Sequence, residues 1–182
     1  IPLPPYIKNE VNEDLYQTVF AKEAGSIAAP TAGLHFTDEL LKKIEGKGGK
    51  ISYITLHAGL STFMNVIEEE YYSISEEAAE KINSAARVIA VGTTTVKALE
   101  SSSKNGVVYP SEGWSSLVIK EGYKFQSPID WLVTNFHMPN SPPLALVSCF
   151  CGKERLMKAY EEAISRDYRF LSFGDAMLIC SE

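Results

Sequence analysis

Three histidines are the side chains in this sequence best suited to acid–base chemistry near neutral pH, because unperturbed histidine changes its charge there. They are His35, His57 and His137, and each lies in or beside a segment rich in glycine, threonine or asparagine. A single loop histidine is more often a hydrogen-bonded structural residue than a catalyst, since buried polar groups need partners. Three in comparable positions favour a shared site for proton transfer or, alternatively, for zinc. The zinc alternative is disfavoured because His-x-His and His-x-x-x-His spacings are absent.

Two further features can contribute to such a site. The turn Gly92–Thr95 offers backbone N–H groups and hydroxyls which, at the start of a helix, bind a carboxylate or phosphate. A simple turn with a helix cap explains these residues equally well. Glu70 ends the acidic run 68–70 and can serve as a base, although charge runs are usually solvated.

Strands and helices alternate along the chain and must position these candidates. Strands are predicted at residues 26–29, 51–57, 87–91, 117–119, 131–135 and 176–179. Helices are predicted at residues 13–21, 38–46, 75–86, 96–102, 143–151 and 153–166, and Thr37 and Ser141 are typical N-caps. The alternation predicts an α/β fold, a three-layer α/β/α sandwich with a mostly parallel sheet. Ligands bind such sheets at the carboxyl ends of the strands, where the histidine segments lie.

Composition narrows the class of protein. The 182 residues suit one α/β domain over residues 1–182, in which the proline-rich residues 1–12 form a connector. No apolar run approaches the roughly 20 residues that span a bilayer, and the first residues do not resemble a signal peptide, which predicts a cytoplasmic protein without a membrane partner. The net charge of −6 argues against binding nucleic acid by bulk electrostatics, although a local basic patch stays compatible with it. The motifs of serine hydrolases, P-loop proteins and dinucleotide-binding proteins are absent.

Seven short segments carry a more specific signal. They are residues 3–7, 16–19, 28–37, 55–59, 87–94, 134–137 and 173–177, for example Ala-Ala-Pro-Thr-Ala-Gly-Leu-His-Phe-Thr at 28–37. In this order they resemble the S-adenosylmethionine:tRNA ribosyltransferase-isomerases of queuosine biosynthesis, and the likeness runs from one end of the chain to the other. Several long motifs in one order are far more specific than any single motif.

The resemblance implies a transferase-isomerase that acts on tRNA. Such an enzyme moves the ribosyl moiety of S-adenosylmethionine onto 7-aminomethyl-7-deazaguanine at the wobble position and rearranges it to epoxyqueuosine, releasing adenine and methionine. It implies S-adenosylmethionine as the ribosyl donor, no metal, tRNA as the partner, and a cytoplasmic monomer. The sulfonium makes the ribose C5′ hydrogens acidic, so a positioned base in a preorganised site can start the reaction.

Carried onto this sequence, the resemblance implies three sets of site residues. The acid–base candidates are His35, His57, Glu70 and His137. The cofactor-binding candidates are Thr31, Gly33, Gly59, Thr62, Gly92, Thr93, Thr94 and Asn135. The candidates for stacking on, or cationic contact with, a splayed-out anticodon base are Lys97, Arg155, Tyr168 and Arg169.

The sequence also departs from the family pattern. Family members begin upstream of Ile1 and include a small β-barrel that this chain lacks, and they usually have a longer stretch before the position of Glu70. Lys97 replaces a common arginine. We therefore expect the chain to be an incomplete version of a longer protein. Two alternatives stay open: a truncated, non-catalytic paralogue that binds S-adenosylmethionine or RNA, and a small-molecule α/β enzyme, which the acidic charge favours.

Overall fold

The computed structural model describes residue 7 and residues 15–26, 28–57 and 69–181. Helices in this part of the chain are α1 (Asp38–Gly46), α2 (Glu76–Asn83), α3 (Thr93–Ser102), α4 (Pro142–Cys151) and α5 (Lys153–Ser165), and a 3-10 helix spans Thr31–His35. The strands are β1 (Thr55–His57), β2 (Glu70–Ile74), β3 (Ile89–Val91), β4 (Ser103–Lys104), β5 (Val107–Val108), β6 (Ser111–Ser115), β7 (Trp131–Asn135) and β8 (Ala176–Cys180). The predicted mixture of helices and strands is confirmed.

The strands form two three-stranded sheets and a short hairpin. In the first sheet, β3 lies parallel to β7, and β7 lies antiparallel to β8. In the second sheet, β2 lies between β1 and β6 and is antiparallel to both. Strands β4 and β5 form the hairpin. Because parallel strands end at the same edge of a sheet, the β3–β7 pair brings together the segments that follow them.

The prediction of a mostly parallel sheet is wrong for the residues described, where one strand pairing is parallel and the others are antiparallel. A parallel neighbour needs a crossover that returns the chain to the same edge. Residues 103–108 instead form the β4–β5 hairpin, and β6 begins three residues later. Two successive helices, α4 and α5, carry the chain back so that β8 runs opposite to β7. The three-layer arrangement, the absent barrel and the single domain over residues 1–182 stay predictions.

Three shorter predictions also fail within the described residues. Of the helix predicted at 13–21, residues 15–21 are described, and they form a 3-10 position at Leu15 followed by bends and turns. Of the strand predicted at 26–29, the described residues form a single bridge at Ala28, and residues 117–119 are irregular. Ala28 is fully buried and Ile119 is 3% exposed, so their apolar character reflects packing into the interior rather than a strand ladder. Short apolar runs indicate burial more securely than they indicate a strand.

The predicted N-termini of three helices are confirmed, and at each of them a side chain caps the helix. The hydroxyls of Thr37, Ser75 and Ser141 each accept a hydrogen bond from the backbone N–H three residues ahead, as N-caps do. Helix α3 differs: it begins at Thr93 rather than at Val96, and its N-cap is Gly92. Gly92 has φ of +92°, a conformation that favours glycine, and provides no capping side chain.

One hydrophobic core joins the two sheets through α3. It contains Tyr72 and Ile74 of β2 together with Leu132 of β7 and Val96 of α3, and neither Leu132 nor Val96 has measurable exposure. Helix α4 packs against α3, α5 and β8 and contributes Val147. Burying each large aliphatic side chain contributes about 1.5–3 kcal/mol, so this shared core holds the sheets in a defined arrangement.

A buried carboxylate fastens the segment that follows β6. Glu100 of α3 accepts hydrogen bonds from the backbone N–H groups of Gln126 (2.8 Å) and Ser127 (2.9 Å) and from the hydroxyl of Tyr123 (3.0 Å). Burial and the neighbouring Glu100 carboxylate raise the pKa of Tyr123 to about 12. A buried charge needs such partners, and these tie the loop to the helix that carries the Gly92 turn.

Close packing of the loop between α5 and β8 gives a first prediction. A Cβ atom on Gly174 would lie 2.5 Å from the carbonyl oxygen of Arg169 and 2.5 Å from the carbonyl carbon of Phe170, so the backbone must shift in Gly174→Ala. We expect this variant to lose about 1–3 kcal/mol of unfolding free energy in urea denaturation. The matched control is Gly113→Ala, where no atom lies within 4 Å of the added carbon. Its stability should change by less than about 0.5 kcal/mol. Equal stability of the two variants would contradict the tight packing at Gly174.

Candidate active site

The carboxyl ends of β3 and β7 meet at one edge of the first sheet. Strand β3 continues directly into Gly92, whose backbone N–H donates to the carbonyl of Val133 in β7 at 2.8 Å. Strand β7 ends at Asn135, two residues before His137. Ligands in α/β sheets bind outside such carboxyl ends. Two of the predicted site segments therefore lie side by side.

The 3-10 helix brings His35 to this edge. Its Nε2 lies 3.0 Å from Nδ2 of Asn135, and the same amide nitrogen donates to the carbonyl oxygen of Leu171 at 3.1 Å. Asn135 is only 2% exposed, and its Oδ1 has no hydrogen-bond partner among the described residues. Because a buried acceptor without a partner costs free energy, this oxygen is suited to receive a donor group of a ligand.

An ion pair lies next to His35. The Arg169 guanidinium is 3.1 Å from Oδ1 of Asp175, and the Arg169 backbone N–H donates to Oδ2 of Asp175 at 2.7 Å. Burial lowers the pKa of His35, while the nearby Asp175 carboxylate raises it and Arg169 lowers it. The role of Asp175 was not predicted from the sequence. The sequence did contain a signal for Asp175, because this residue lies in the 173–177 motif of the family, to which no function was assigned.

His137 is held as a neutral imidazole beyond the end of β7. Its Nε2 lies 2.9 Å from the hydroxyl oxygen of Thr134, and its backbone N–H donates to the hydroxyl of Tyr160 at 2.8 Å. Burial lowers the pKa of His137 to about 4. At neutral pH this ring is therefore uncharged. It can accept a hydrogen bond or a proton, but it has no second ring proton to give up as an acid.

A second group of candidates lines a cleft between α3 and the second sheet. Glu70 and Lys97 form an ion pair across it, with 2.5 Å between Oε2 and Nζ, and their side chains are 9% and 20% exposed. Leu56, His57, Tyr72, Thr94, Ala98 and Ser115 complete the lining. The predicted base and a predicted RNA contact thus form one charged pair inside a cleft.

His57 lines this cleft and packs against an aromatic ring. Its ring centroid is 5.3 Å from that of Tyr71, and its Nδ1 is buried without a hydrogen-bond partner in the described part of the chain. A Cβ atom on Gly25 would lie 2.7 Å from the His57 ring, so only glycine allows this close approach. Gly25 was not predicted as a site residue.

The Gly92 turn borders both groups. A Cβ atom on Gly92 would lie 3.8 Å from Cβ of Ala32 in the 3-10 helix, and Thr94 lines the Glu70–Lys97 cleft. Thr93 lies at the first position of α3. The His35 group and the Glu70 group are therefore neighbours across one turn, rather than segments scattered over opposite ends of the molecule.

The remaining predicted residues occupy several environments. Thr31 begins the 3-10 helix, and Gly33 is buried in it, where an added Cβ would lie 2.7 Å from Thr18 and 2.8 Å from Phe20. Gly33 thus has a packing role. Arg155 and Arg169 are exposed, and Tyr168 is 46% exposed while packing edge-on against Phe136. Gly59 and Thr62 lie outside the described residues.

The described residues contain neither a cluster of possible metal ligands nor a membrane-spanning helix. No three or more His, Cys, Asp or Glu side chains come together there in a way that could hold a metal ion. No helix in that part of the chain is long and apolar enough to cross a membrane.

The lowered pKa of His137 predicts a pH dependence of stability. In the folded state the ring takes up a proton only near pH 4, whereas an unfolded histidine does so near 6.5, so folding is increasingly opposed as the pH falls from 6.5 towards 4. We expect this residue to account for a loss of about 1–2 kcal/mol by pH 5, measured by urea denaturation at pH 7.5 and pH 5. His137→Gln should show a correspondingly smaller loss over the same range. Equal losses in the variant and the parent would show that the ring is not held neutral.

The ion pair across the cleft gives a separate prediction. Lys97→Met removes the ammonium that balances the Glu70 carboxylate at a largely buried position. We expect a loss of about 2 kcal/mol in unfolding free energy, between the values typical of exposed and of fully buried pairs. Lys97→Arg keeps the charge and should lose less than half as much. The control is Lys104→Met, at an exposed position of β4, which should leave stability unchanged. A Lys97→Met protein as stable as the Lys104→Met control would contradict a structural ion pair.

Comparisons with known proteins identify the family of this chain. The family model described as "Queuosine biosynthesis protein" matches residues 1–179. Over 98% of this chain, the sequence is 52% identical to the S-adenosylmethionine:tRNA ribosyltransferase-isomerase of Natranaerobius thermophilus and 51% identical to that of Thermoanaerobacter sp.. It covers 56% and 57% of those proteins, so the chain spans a little over half the length of the curated relatives it matches. The alignments contain 194 positions whereas the chain has 182 residues, so the relatives also have internal residues without a counterpart here.

A solved structure is similar in fold. The crystal structure of S-adenosylmethionine tRNA ribosyltransferase from Thermotoga maritima matches with a TM-score of 0.68 and 42% sequence identity, covering 81% of this chain and 51% of that one. The family match over nearly the whole sequence, the identity to several relatives and the shared fold all point to one assignment: this chain belongs to the queuosine biosynthesis protein family.

Proposed function

We propose that the protein represented by this chain transfers and isomerises the ribosyl moiety of S-adenosylmethionine onto 7-aminomethyl-7-deazaguanine at the wobble position of tRNA. The observation that carries the proposal is the identity of about half the residues, over 98% of the chain, with proteins named for this reaction. The products are epoxyqueuosine in tRNA, free adenine and methionine. For a protein with a tRNA-modifying role we expect a cytoplasmic location.

The cofactor would bind where the two groups of site residues meet. The backbone N–H groups at the start of α3 suit the methionine carboxylate, because a helix N-terminus favours an anion. The buried Oδ1 of Asn135 suits a donor group of the same molecule. Thr94 lines the cleft, Thr31 and Thr93 begin the two helices next to it, and all three stay candidates for cofactor contact, as do Gly59 and Thr62. Gly33 would act indirectly, since its packing sets the shape of the 3-10 helix.

The chemistry needs a base beside the sulfonium and a way to release adenine. A base that removes a C5′ proton leaves electrons that open the ribose and expel adenine, which then takes up a proton. Glu70 is a carboxylate at the wall of the cleft, and Lys97 balances its charge and directs it. His57 borders the same cleft, and His35 and His137 add two rings whose pKa values are lowered by burial. We assign these four side chains to the acid–base chemistry of the reaction.

The anticodon loop would contact exposed cationic and aromatic side chains. Arg155, Tyr168 and Arg169 are exposed and suit phosphate contact and base stacking. Arg169 also pairs with Asp175 beside His35, which would bring the RNA close to the reaction site. Lys97 was predicted for the same role, but its ammonium pairs with Glu70 inside the cleft. A local set of contacts of this kind is compatible with a net charge of −6.

Release of adenine from S-adenosylmethionine tests the proposal. With the complete protein, adenine should appear only when tRNA carrying the 7-aminomethyl-7-deazaguanine base is added. Glu70→Gln keeps the size of the side chain but removes the base, so we expect adenine release to fall by at least about a hundredfold. The control is Glu161→Gln on the exposed face of α5, which should keep the parent rate.

Two results would contradict the proposal. Adenine release that ignores the acceptor base would favour a small-molecule enzyme. Binding of S-adenosylmethionine or tRNA without any adenine release would favour a non-catalytic paralogue. Normal release by Glu70→Gln would instead remove Glu70 from the acid–base group and leave the overall function in place.

A further inference from the structure

The side-chain amide of Asn135 is fixed in one orientation by its surroundings. One amide atom lies 3.1 Å from the backbone carbonyl oxygen of Leu171, and a carbonyl oxygen can only accept a hydrogen bond. That amide atom must therefore be the nitrogen, Nδ2. The reverse orientation would place two oxygens in contact and lose a hydrogen bond at a site that is 2% exposed.

This orientation decides which nitrogen of His35 carries the proton. Nδ2 has two hydrogens, one directed to Leu171 and one available to Nε2 of His35 at 3.0 Å. A donor facing Nε2 requires that Nε2 accept, so Nε2 has no proton of its own. A neutral imidazole has one N–H, which must then lie on Nδ1.

The charges around His35 are compatible with a neutral ring. The Asp175 carboxylate, which would favour a charged imidazole, is engaged by both the side chain and the backbone N–H of Arg169. The Arg169 guanidinium opposes the positive charge, and burial of the ring lowers the pKa of His35. Among the described residues, no hydrogen bond is made to Nδ1 of His35, so its N–H can serve a ligand.

We propose that Asn135 is a positioning residue that holds His35 in the Nδ1–H tautomer, so that His35 donates a hydrogen bond to an acceptor atom of the sulfonium nucleoside instead of removing a proton. The catalytic part of this inference rests on the proposed function, whereas the tautomer does not. The acceptor is a ribose oxygen or an adenine ring nitrogen, since the carboxylate of the same molecule is assigned to the start of α3. Removal of the C5′ proton then falls to another group, such as Glu70 or His57.

The tautomer can be measured directly by NMR. Labelling histidine with 15N gives one imidazole spectrum for each histidine of the complete protein, three of them from this chain, and His35→Gln identifies the one from His35. Near pH 7.5 we expect the His35 spectrum to show a protonated Nδ1 and an unprotonated Nε2. The measurement uses the complete protein and needs neither S-adenosylmethionine nor tRNA, so its result is independent of whether adenine release is observed.

Substitution of Asn135 tests the cause. Asn135→Asp replaces the donor with a carboxylate that accepts only, so His35 should switch to the Nε2–H tautomer and titrate at a higher pH than in the parent protein. The matched control is Thr134→Val, which removes the hydroxyl next to His137 and should change the His137 spectrum but leave that of His35 unaltered.

The results distinguish the tautomer of His35, the role of Asn135 and the proposed function from one another. An Nε2–H tautomer of His35 in the parent protein would overturn the proposal, and this result does not depend on whether any variant folds. An unchanged tautomer in a folded Asn135→Asp variant would overturn the role of Asn135. The expected tautomer together with absent adenine release would refute the proposed function while leaving the tautomer assignment in place.

Discussion

The parallel pairing of β3 with β7 is the constraint on which the site depends. It places the ends of two strands at one edge, so the turn that begins α3 and the segment from Asn135 to His137 must be neighbours. The hydrogen bond from Gly92 to Val133 extends this pairing by one residue beyond β3 and directs the chain into the helix. Other segments contribute residues to this edge. The 3-10 helix contributes His35, and the loop before β8 contributes Leu171, Arg169 and Asp175.

Electrostatics within the site are local and nearly balanced. Two of its histidines have pKa values lowered by burial, its buried glutamate faces a lysine, and its half-buried aspartate faces an arginine. A site of this kind presents fixed dipoles and paired charges to a ligand. Preorganised groups of this type stabilise charge that develops during a reaction better than water does, because they need not reorient. A sulfonium nucleoside, which is cationic at sulfur and anionic at its carboxylate, is a ligand for which such balance is favourable.

Two close approaches show why glycine is needed near the site. The ring of His57 lies against Gly25, and the 3-10 helix that ends in His35 packs Gly33 against Thr18 and Phe20. Neither glycine offers a functional group. Because glycine has no side chain, Gly25 leaves room for the His57 ring, and Gly33 lets the 3-10 helix that carries His35 pack closely.

Local signals were sufficient for much of the fold. The caps at Thr37, Ser75 and Ser141, the strand at residues 131–135 and the two helices that follow it were all predictable, because each depends on residues within a few positions of one another. The family likeness and the three histidine segments were likewise readable in the sequence. The mostly parallel sheet was not correct, since strand direction depends on where the chain returns after a helix or a hairpin.

The chemical identity of the site was decided only by tertiary structure. His35 meets an amide 100 residues further along the chain, and Glu70 meets a lysine 27 residues away on another element. Residue type shows that a side chain can accept, donate or carry charge, and the sequence therefore determined which groups were available. Which nitrogen holds a proton, and whether a lysine faces RNA or a carboxylate, depends on distances of about 3 Å that only the packing of distant segments creates.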